Sequence, residues 1–279
     1  MRRIALASLG KSEGSVIIMD PLTGHVYAIV NQDWAVRRSW KPASIIKLVT
    51  AAAALGDRTL QPPQPLRLSA KSRPINLTEA LAVSSNSFFS TIGESVGPER
   101  IISYAREFGL GEQTGINYPE ENPGLLPVLP DGIDVSRFGA TGEGIEATPI
   151  QLATLVSAIA NGGMLLTPQV GRSPKSTETQ PQIRRRIAIP RANLARLMAG
   201  MIAAVDHGTA NGAADPWQTV AGKTGTFLEK SAKVGIFASY APADDPRFVV
   251  VVVTRGQHES GPAAASIAGT IYRALSSGS

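Results

Sequence analysis

Two polar residues in one short stretch have the types and the spacing for nucleophilic chemistry. Ser44 and Lys47 lie three positions apart in a run of helix-forming residues from Trp40 to Leu55. On a helix the two side chains share one face. A hydroxyl beside an amine forms a nucleophile and base if burial lowers the pKa of the amine, and the flanking apolar residues predict that burial. An exposed serine and lysine give the same spacing, so this pattern alone is weak evidence.

A second polar cluster, Ser84-Ser85-Asn86, lies at a predicted helix boundary. At such a boundary a hydroxyl and an amide two residues apart can point together into a cleft. Helix capping by Ser84 and Asn86 is the alternative interpretation, because both residue types are favoured at helix N-termini.

A third cluster, Lys223-Thr224-Gly225-Thr226, lies in a predicted strand. Alternation along a strand places Lys223 and Gly225 on one face and the two threonines on the other. Glycine inside a strand commonly marks a close backbone approach, which a substrate bound along an edge strand would need. A solvated strand end is the alternative for Lys223.

The composition is that of a globular protein and excludes several kinds of site. The 279 residues are 43% hydrophobic and 18% charged, which argues against disorder. The absence of cysteine excludes disulfides, thiol chemistry and cysteine-based zinc sites. The three histidines are scattered without metal-ligand spacing, which argues against a Ser-His-Asp triad and against a histidine-built metal site.

The charge of +5 and the pI of about 9.6 are compatible with anionic partners. Arg184-Arg185-Arg186 is a basic run without interleaved aromatic residues, so we interpret it as a solvated face and predict no nucleic-acid partner. The apolar patch from Ile4 to Leu9 is too short for a signal peptide, and no stretch approaches the roughly 18 apolar residues of a membrane span. These features predict a soluble chain without an export signal or a membrane segment.

The order of predicted elements is two strands, many helices, three strands and one helix. This order predicts an α+β fold with a central antiparallel sheet built from both chain ends, flanked by helices and joined to a helical lobe. We expect a single domain over residues 1–279, with an α/β lobe from 1–40 and 215–279 and a mainly helical lobe from 41–214. The predicted strands cover residues 15–18, 25–30, 219–227, 232–240 and 247–254. The predicted helices after the first cover residues 77–83, 87–97, 98–108, 148–160, 190–205 and 261–275, while 61–65 and 112–144 are predicted to be irregular.

The three clusters, in this order and at these separations, resemble the motifs of the serine penicillin-recognising acyltransferases, which include penicillin-binding proteins and serine β-lactamases. The corresponding elements here are Ser44-Ile45-Ile46-Lys47, Ser84-Ser85-Asn86 and Lys223-Thr224-Gly225. Further stretches resemble penicillin-binding protein transpeptidase domains, so the resemblance spans nearly the whole chain. These stretches are residues 14–24, 148–153, 161–163, 208–210 and 240–242.

The resemblance implies a role for each residue of the first two clusters. Ser44 would attack a carbonyl and become acylated, and Lys47 would take its proton. Ser84 would relay a proton to the leaving amine, while Asn86 would orient Lys47 and the substrate amide.

The resemblance also implies how the substrate is held. Lys223 and Thr224, in the stretch that continues through Gly225, would bind its carboxylate. The backbone N–H groups of Ser44 and Thr226 would form an oxyanion hole. The implied activity is that of a D,D-transpeptidase acting on D-Ala-D-Ala stem peptides of peptidoglycan in the cell envelope, outside the cytoplasm. β-Lactams would acylate the same serine, and no metal or organic cofactor is implied.

Other activities of the same superfamily remain as alternatives: a serine β-lactamase, a D,D-carboxypeptidase, or a non-catalytic β-lactam sensor. The chain lacks the E-x-x-L-N stretch of one β-lactamase class. It has Asn86 where the carbamylated-lysine class and the sensors usually carry an aliphatic residue. Both departures favour a long-lived acyl-enzyme. Glu143 and Glu146 lie where such domains more often carry uncharged residues; we interpret them as surface carboxylates, with water activation as the alternative.

Penicillin-binding transpeptidases normally carry a membrane anchor and an upstream domain, and neither is found in this sequence. The chain is therefore an excised domain, a stand-alone protein, or a piece of a chain whose anchor or upstream domain precedes it.

Overall fold

A computed structural model describes residues 1–61, 65–69, 73–128, 134–171 and 180–277. The segment predicted at 61–65 therefore lies partly outside the described residues. The strands are β1 (Glu13–Met19), β2 (His25–Val30), β3 (Met164–Leu166), β4 (Gln169–Val170), β5 (Ile183–Arg186), β6 (Ala221–Glu229), β7 (Ala232–Ala241) and β8 (Phe248–Gly256). The α-helices are α1 (Arg2–Leu9), α2 (Ile46–Gly56), α3 (Leu77–Ala82), α4 (Asn86–Val96), α5 (Pro98–Glu107), α6 (Val135–Thr141), α7 (Pro149–Ala160), α8 (Arg191–Asp206) and α9 (Gly261–Ser276).

A six-stranded sheet joins the two ends of the chain in the order β4-β2-β1-β8-β7-β6. β1 pairs with both β2 and β8, which carries the N-terminal hairpin onto the C-terminal strands. The predicted α+β fold and its antiparallel sheet are confirmed for the five long strands. The sheet as a whole is mixed, because the two-residue strand β4 adds to β2 in the parallel direction.

Two apolar cores form on the two faces of the sheet. In β8, Val249, Val251 and Val253 face the larger core, which the helices of the middle of the chain complete. Val250 and Val252 face a second core with α1 and α9. The continuous valine run from Val249 to Val253 is therefore explained by burial on both faces.

The helix α2 passes through the larger core and is buried from Ile46 to Leu55. The helix is preceded by a 3-10 turn, Ala43–Ile45, so the predicted helical run begins with a tighter turn than expected. Trp40 pairs with Ala147 in an isolated antiparallel bridge and lies outside the helix. Among the residues that the structure describes, no helix is long and apolar enough to cross a bilayer.

The expectation of irregular structure at 112–144 is wrong for α6, while residues 129–133 lie outside the described part. The α6 helix forms through tertiary packing that the local sequence does not reveal. Its Gly139 lies against Gly93 of α4, where a β-carbon would meet the Gly93 backbone at 2.8 Å. The Gly139 carbonyl also accepts a hydrogen bond from the Thr50 hydroxyl at 2.8 Å. Helix α1 and the short strands β3, β4 and β5 also went unpredicted.

The interpretation of the arginine run as a solvated face is wrong for Arg184 and Arg185, whereas Arg186 is exposed. Arg184 and Arg185 lie in β5, which pairs with β3, and both contact the carboxylate of Glu112 at 2.5 Å. The side chain of Arg184 is only 15% exposed. Arg184 and Arg185 link the β3–β5 ribbon to the loop after α5, because their guanidinium groups share the carboxylate of Glu112.

Candidate active site

Ser44 lies in the 3-10 turn immediately before α2, at the edge of a cavity of about 290 Å³. The preceding residue, Ala43, has φ +48, a conformation that costs a non-glycine residue energy and that clusters at functional sites. Ser44 is partly buried, and Asn86 and Thr226 line the same cavity. The turn thus presents the serine to a space bounded by all three predicted clusters.

Lys47 is fully buried, and its amine contacts the turn between α3 and α4. The amine nitrogen lies 2.6 Å from Oδ1 of Asn86, 2.8 Å from the carbonyl oxygen of Ser84 and 3.1 Å from its hydroxyl oxygen. In the part of the chain that the structure describes, the amine makes no hydrogen bond to the Ser44 hydroxyl. Burial lowers the pKa of Lys47 to about 7, so a large fraction of this amine is neutral near neutral pH.

The turn that holds Lys47 has its own capping arrangement. Ser84 has φ +53, which turns its carbonyl and hydroxyl toward the lysine. The N-cap of α4 is Ser85, whose hydroxyl accepts a hydrogen bond from the Phe88 amide at 3.3 Å. The capping alternative for Ser84 and Asn86 is therefore wrong, since the residue between them caps the helix and leaves both side chains to Lys47.

Lys223 reaches the same turn from the edge strand β6. Its amine lies 2.9 Å from the Ser84 hydroxyl and 3.0 Å from the carbonyl oxygen of Thr224. Burial, and next the charge of Lys47, hold the pKa of Lys223 well below its ordinary value. The Ser84 hydroxyl therefore bridges two buried amines, neither of which is paired with a carboxylate of the described residues.

The rest of the β6 cluster follows the predicted alternation. Lys223 points to Ser84, whereas the Thr224 hydroxyl lies 2.7 Å from that of Thr209, and Thr226 accepts a hydrogen bond from the Gly261 amide at 2.8 Å. Gly225 does mark a close approach, but the neighbour is the turn of Ser44. A β-carbon on Gly225 would lie 3.1 Å from the Pro42 carbonyl oxygen and 3.3 Å from the β-carbon of Ala43.

The sequence matches the penicillin-binding protein transpeptidase domain over residues 14–273. The chain belongs to this family. It is 28% identical to penicillin-binding protein PbpB of Mycolicibacterium smegmatis, covering 90% of this chain and 47% of that protein. It is 30% identical to stage V sporulation protein D of Bacillus subtilis, covering 88% of this chain and 43% of that protein. The chain thus spans less than half the length of these relatives.

Solved structures have the same fold. The D,D-transpeptidase domain of a peptidoglycan glycosyltransferase from Eggerthella lenta superposes with a TM-score of 0.83 at 24% identity, covering 98% of this chain and 80% of that one. The transpeptidase domain of Burkholderia pseudomallei penicillin-binding protein 3 superposes with a TM-score of 0.84 at 21% identity, covering 98% and 94%. At these identities the likeness concerns the fold.

Several residues on the cavity wall of this transpeptidase domain were not singled out from the sequence as binding residues: Lys41, Arg137, Thr141, Phe227 and Leu228. Their only signal in the sequence is closeness to a motif or to the glycine-rich loop.

The two carboxylates of the glycine-rich loop differ in their contacts. Glu143 is 47% exposed, lines the cavity and forms an ion pair with Arg137 at 3.2 Å. Glu146 instead accepts a hydrogen bond from the Ser39 hydroxyl and does not line the cavity. Both are at least partly exposed, but Glu143 alone shares a cavity with Ser44.

Proposed function

We propose that the chain is a D,D-transpeptidase that forms an acyl-enzyme at Ser44 from D-Ala-D-Ala stem peptides of peptidoglycan and is acylated there by β-lactams. The observation that carries this proposal is the buried amine of Lys47, with a pKa of about 7, one helical turn from a serine that opens on a cavity. A serine–lysine pair on a solvated helix face lacks this property, because its lysine remains protonated at neutral pH.

The hydrogen bonds of Lys47 suit a general base. A neutral amine has two N–H bonds, which can be donated to the Ser84 carbonyl and to Asn86, and one lone pair. That lone pair takes the proton of the Ser44 hydroxyl as its oxygen bonds to the substrate carbonyl carbon. For this step the amine turns from the Ser84 hydroxyl, 3.1 Å away in the free chain, toward Ser44.

The second half of acylation releases D-alanine. The C–N bond breaks, and the leaving nitrogen takes a proton that passes from Lys47 through the hydroxyl of Ser84. The amides of Ser44 and Thr226 are the proposed donors to the oxyanion, each worth roughly 3 kcal/mol in other acyl-transfer enzymes. An amine of a second stem peptide then attacks the ester carbon: the C–N bond forms, the C–O bond to Ser44 breaks, and a proton of the amine restores the Ser44 hydroxyl.

The two buried amines also favour an anionic substrate. Lys47 and Lys223 are joined through one hydroxyl without a carboxylate partner among the described residues, so a substrate carboxylate would supply the counter-charge for the protonated form of Lys223. We assign this carboxylate to Lys223 and Thr224, with Thr209 fixing the threonine hydroxyl. Because such stem peptides belong to peptidoglycan, we place the reaction in the cell envelope, outside the cytoplasm.

The test combines a fluorescent penicillin with a D-Ala-D-Ala peptide or thioester substrate. We expect a stable covalent adduct on Ser44, turnover of the peptide with transfer to an added amine, and loss of both in Ser44→Ala. Ser95→Ala, which changes an exposed serine of α4, is the matched control and should retain both activities.

The alternatives give different results in the same assays. Rapid release of hydrolysed penicillin would identify a β-lactamase. Peptide cleavage with transfer to water alone would identify a carboxypeptidase, and stable acylation without any peptide turnover would identify a sensor.

A further inference from the structure

The carboxylate of Glu143 lies on the wall of the cavity that Ser44 also lines. Of the described residues that line this cavity, Lys41 and Arg137 are the cationic ones, and Glu143 is the acidic one. The proton-transfer steps above do not use Glu143. A negative charge on the wall of a cavity that also contains the nucleophile and two cationic side chains needs its own explanation.

Backbone packing holds Glu143 close to the turn of Ser44. The preceding residue, Gly142, has φ +66, and a β-carbon there would lie 2.9 Å from Pro42 and 3.3 Å from Ile46. These two contacts flank Ser44 in the sequence. The backbone of the glycine-rich loop at Gly142 therefore packs directly against the turn of Ser44, and the next residue, Glu143, lines the cavity.

The carboxylate of Glu143 is available to a ligand. Its ion pair with Arg137 joins side chains that are 47% and 65% exposed, at 3.2 Å. Exposed pairs of this kind contribute little stability, so a cation entering the cavity can take the place of Arg137.

We propose that Glu143 binds the ammonium group of the acceptor substrate, the amine that takes the acyl group from Ser44. This inference rests on the proposed transpeptidase function and names a residue for its second substrate. An alkylamine acceptor is protonated at neutral pH, and a carboxylate beside the ester both attracts it and orients it. The bound ammonium gives up one proton to solvent before its nitrogen attacks, and a second proton restores the Ser44 hydroxyl.

The test measures how the acyl group is partitioned between water and added amines during turnover of a D-Ala-D-Ala thioester. Two acceptors are compared: the side-chain amine of Nα-acetyl-lysine amide, which is cationic, and hydroxylamine, which is neutral at pH 8. Glu143→Gln should raise the KM for the cationic acceptor by about five- to tenfold, the scale of one partly exposed charge-assisted hydrogen bond. It should leave the partition to hydroxylamine unchanged.

Arg137→Gln supplies the opposite perturbation. It removes the competing cation and leaves the carboxylate, so the KM for the cationic acceptor should fall. If the ion pair were merely structural, both variants would weaken the loop and change the KM in the same direction. Glu120→Gln, which breaks the exposed pair of Glu120 with Arg37, is the matched control because neither residue lines the cavity.

Acylation by fluorescent penicillin separates this inference from the proposed function. If the wild type is not acylated, the proposed function itself is wrong. If it is acylated and transfers acyl groups, but Glu143→Gln and Arg137→Gln leave the cationic acceptor's KM unchanged or shift it alike, the inference on Glu143 alone is overturned. A longer acyl-enzyme lifetime in Glu143→Gln without any acceptor would also overturn it, since that result assigns the carboxylate to water activation.

Discussion

Replacement of Lys47 by methionine should abolish acylation and yet make the folded chain less sensitive to pH. The amine of Lys47 is buried with no carboxylate partner among the residues that the structure describes, and its pKa is lowered from an ordinary 10.5 to about 7. A lysine whose pKa is lowered on folding destabilises the folded state. The effect is complete below the folded pKa and vanishes above the unfolded one.

The magnitude follows from this shift. Between pH 7 and pH 10 the unfolded chain keeps the proton on Lys47 while the folded chain loses it. Each pH unit then adds up to about 1.4 kcal/mol to the wild-type free energy of unfolding. Summed from pH 7, where the folded amine is about half protonated, to pH 10, the gain is about 3 to 4 kcal/mol. The Lys47→Met variant does not gain this stability with pH, because methionine does not titrate. The loss of the hydrogen bonds to Ser84 and Asn86 lowers its free energy of unfolding by the same amount at every pH.

The measurement is urea unfolding of wild type and Lys47→Met at pH 7, 8, 9 and 10, followed by tryptophan fluorescence. The stability of Lys47→Met relative to wild type should fall by about 3 to 4 kcal/mol across this range. Lys11→Met, at an exposed lysine, should differ from wild type by no more than about 0.5 kcal/mol throughout. A Lys47→Met difference constant to within about 1 kcal/mol from pH 7 to pH 10 would refute the neutral-amine argument.

Three further predictions test other parts of the structure. The rate of penicillin acylation should rise about fifty-fold from pH 5 to pH 7 and level off at higher pH, as Lys47 loses its proton. A rate that keeps rising to pH 9 would contradict the assignment of Lys47 as the base. Gln151→Leu should lower the free energy of unfolding by about 3 kcal/mol or more, because the buried amide pairs with the Thr148 amide and with the carbonyls of Glu112 and Pro123. Urea titration against Gln257→Leu measures this, and equal stabilities would contradict it. Gly225→Ala should slow acylation by about tenfold or more, because its β-carbon pushes the Pro42 carbonyl and the turn of Ser44 aside. An unchanged acylation rate with an unchanged Tm would contradict this, because it would show that the turn of Ser44 accommodates the extra β-carbon.

The regular elements could be predicted from the sequence wherever local signals and burial agree. The capping box of α7 is an example: the Thr148 hydroxyl accepts from the Gln151 amide, and the Gln151 side chain accepts from the Thr148 amide. The valine-rich strand β8 and the hairpin of β1 and β2 could also be predicted, because their runs of apolar residues match strands that are buried in the sheet.

The unpredicted elements depend on contacts between distant parts of the chain. Helix α6 is short, and Gly139 in its middle disfavours a helix locally, yet that glycine allows the close crossing with α4. The local sequence indicates a solvated side chain for Arg184, but the pairing of β5 with β3 places it against Glu112. Glu143 is an unusual charge in the sequence, but its place on the cavity wall depends on the packing of Gly142 against Pro42 and Ile46.

The two lysines of the family motifs, Lys47 and Lys223, are also residues whose burial costs the folded chain free energy of charge desolvation. Core positions disfavour a charged amine without a carboxylate partner. The described part of the chain buries two amines that lack one and that share the hydroxyl of Ser84. The arrangement costs stability, which the apolar packing of α2 and the sheet must offset. A neutral base within reach of a serine requires that cost, because the same lysine on a solvated face would remain protonated. Stability and reactivity at Lys47 are therefore set by one quantity, the free energy of burying its charge, and a variant that relieves one should forfeit the other.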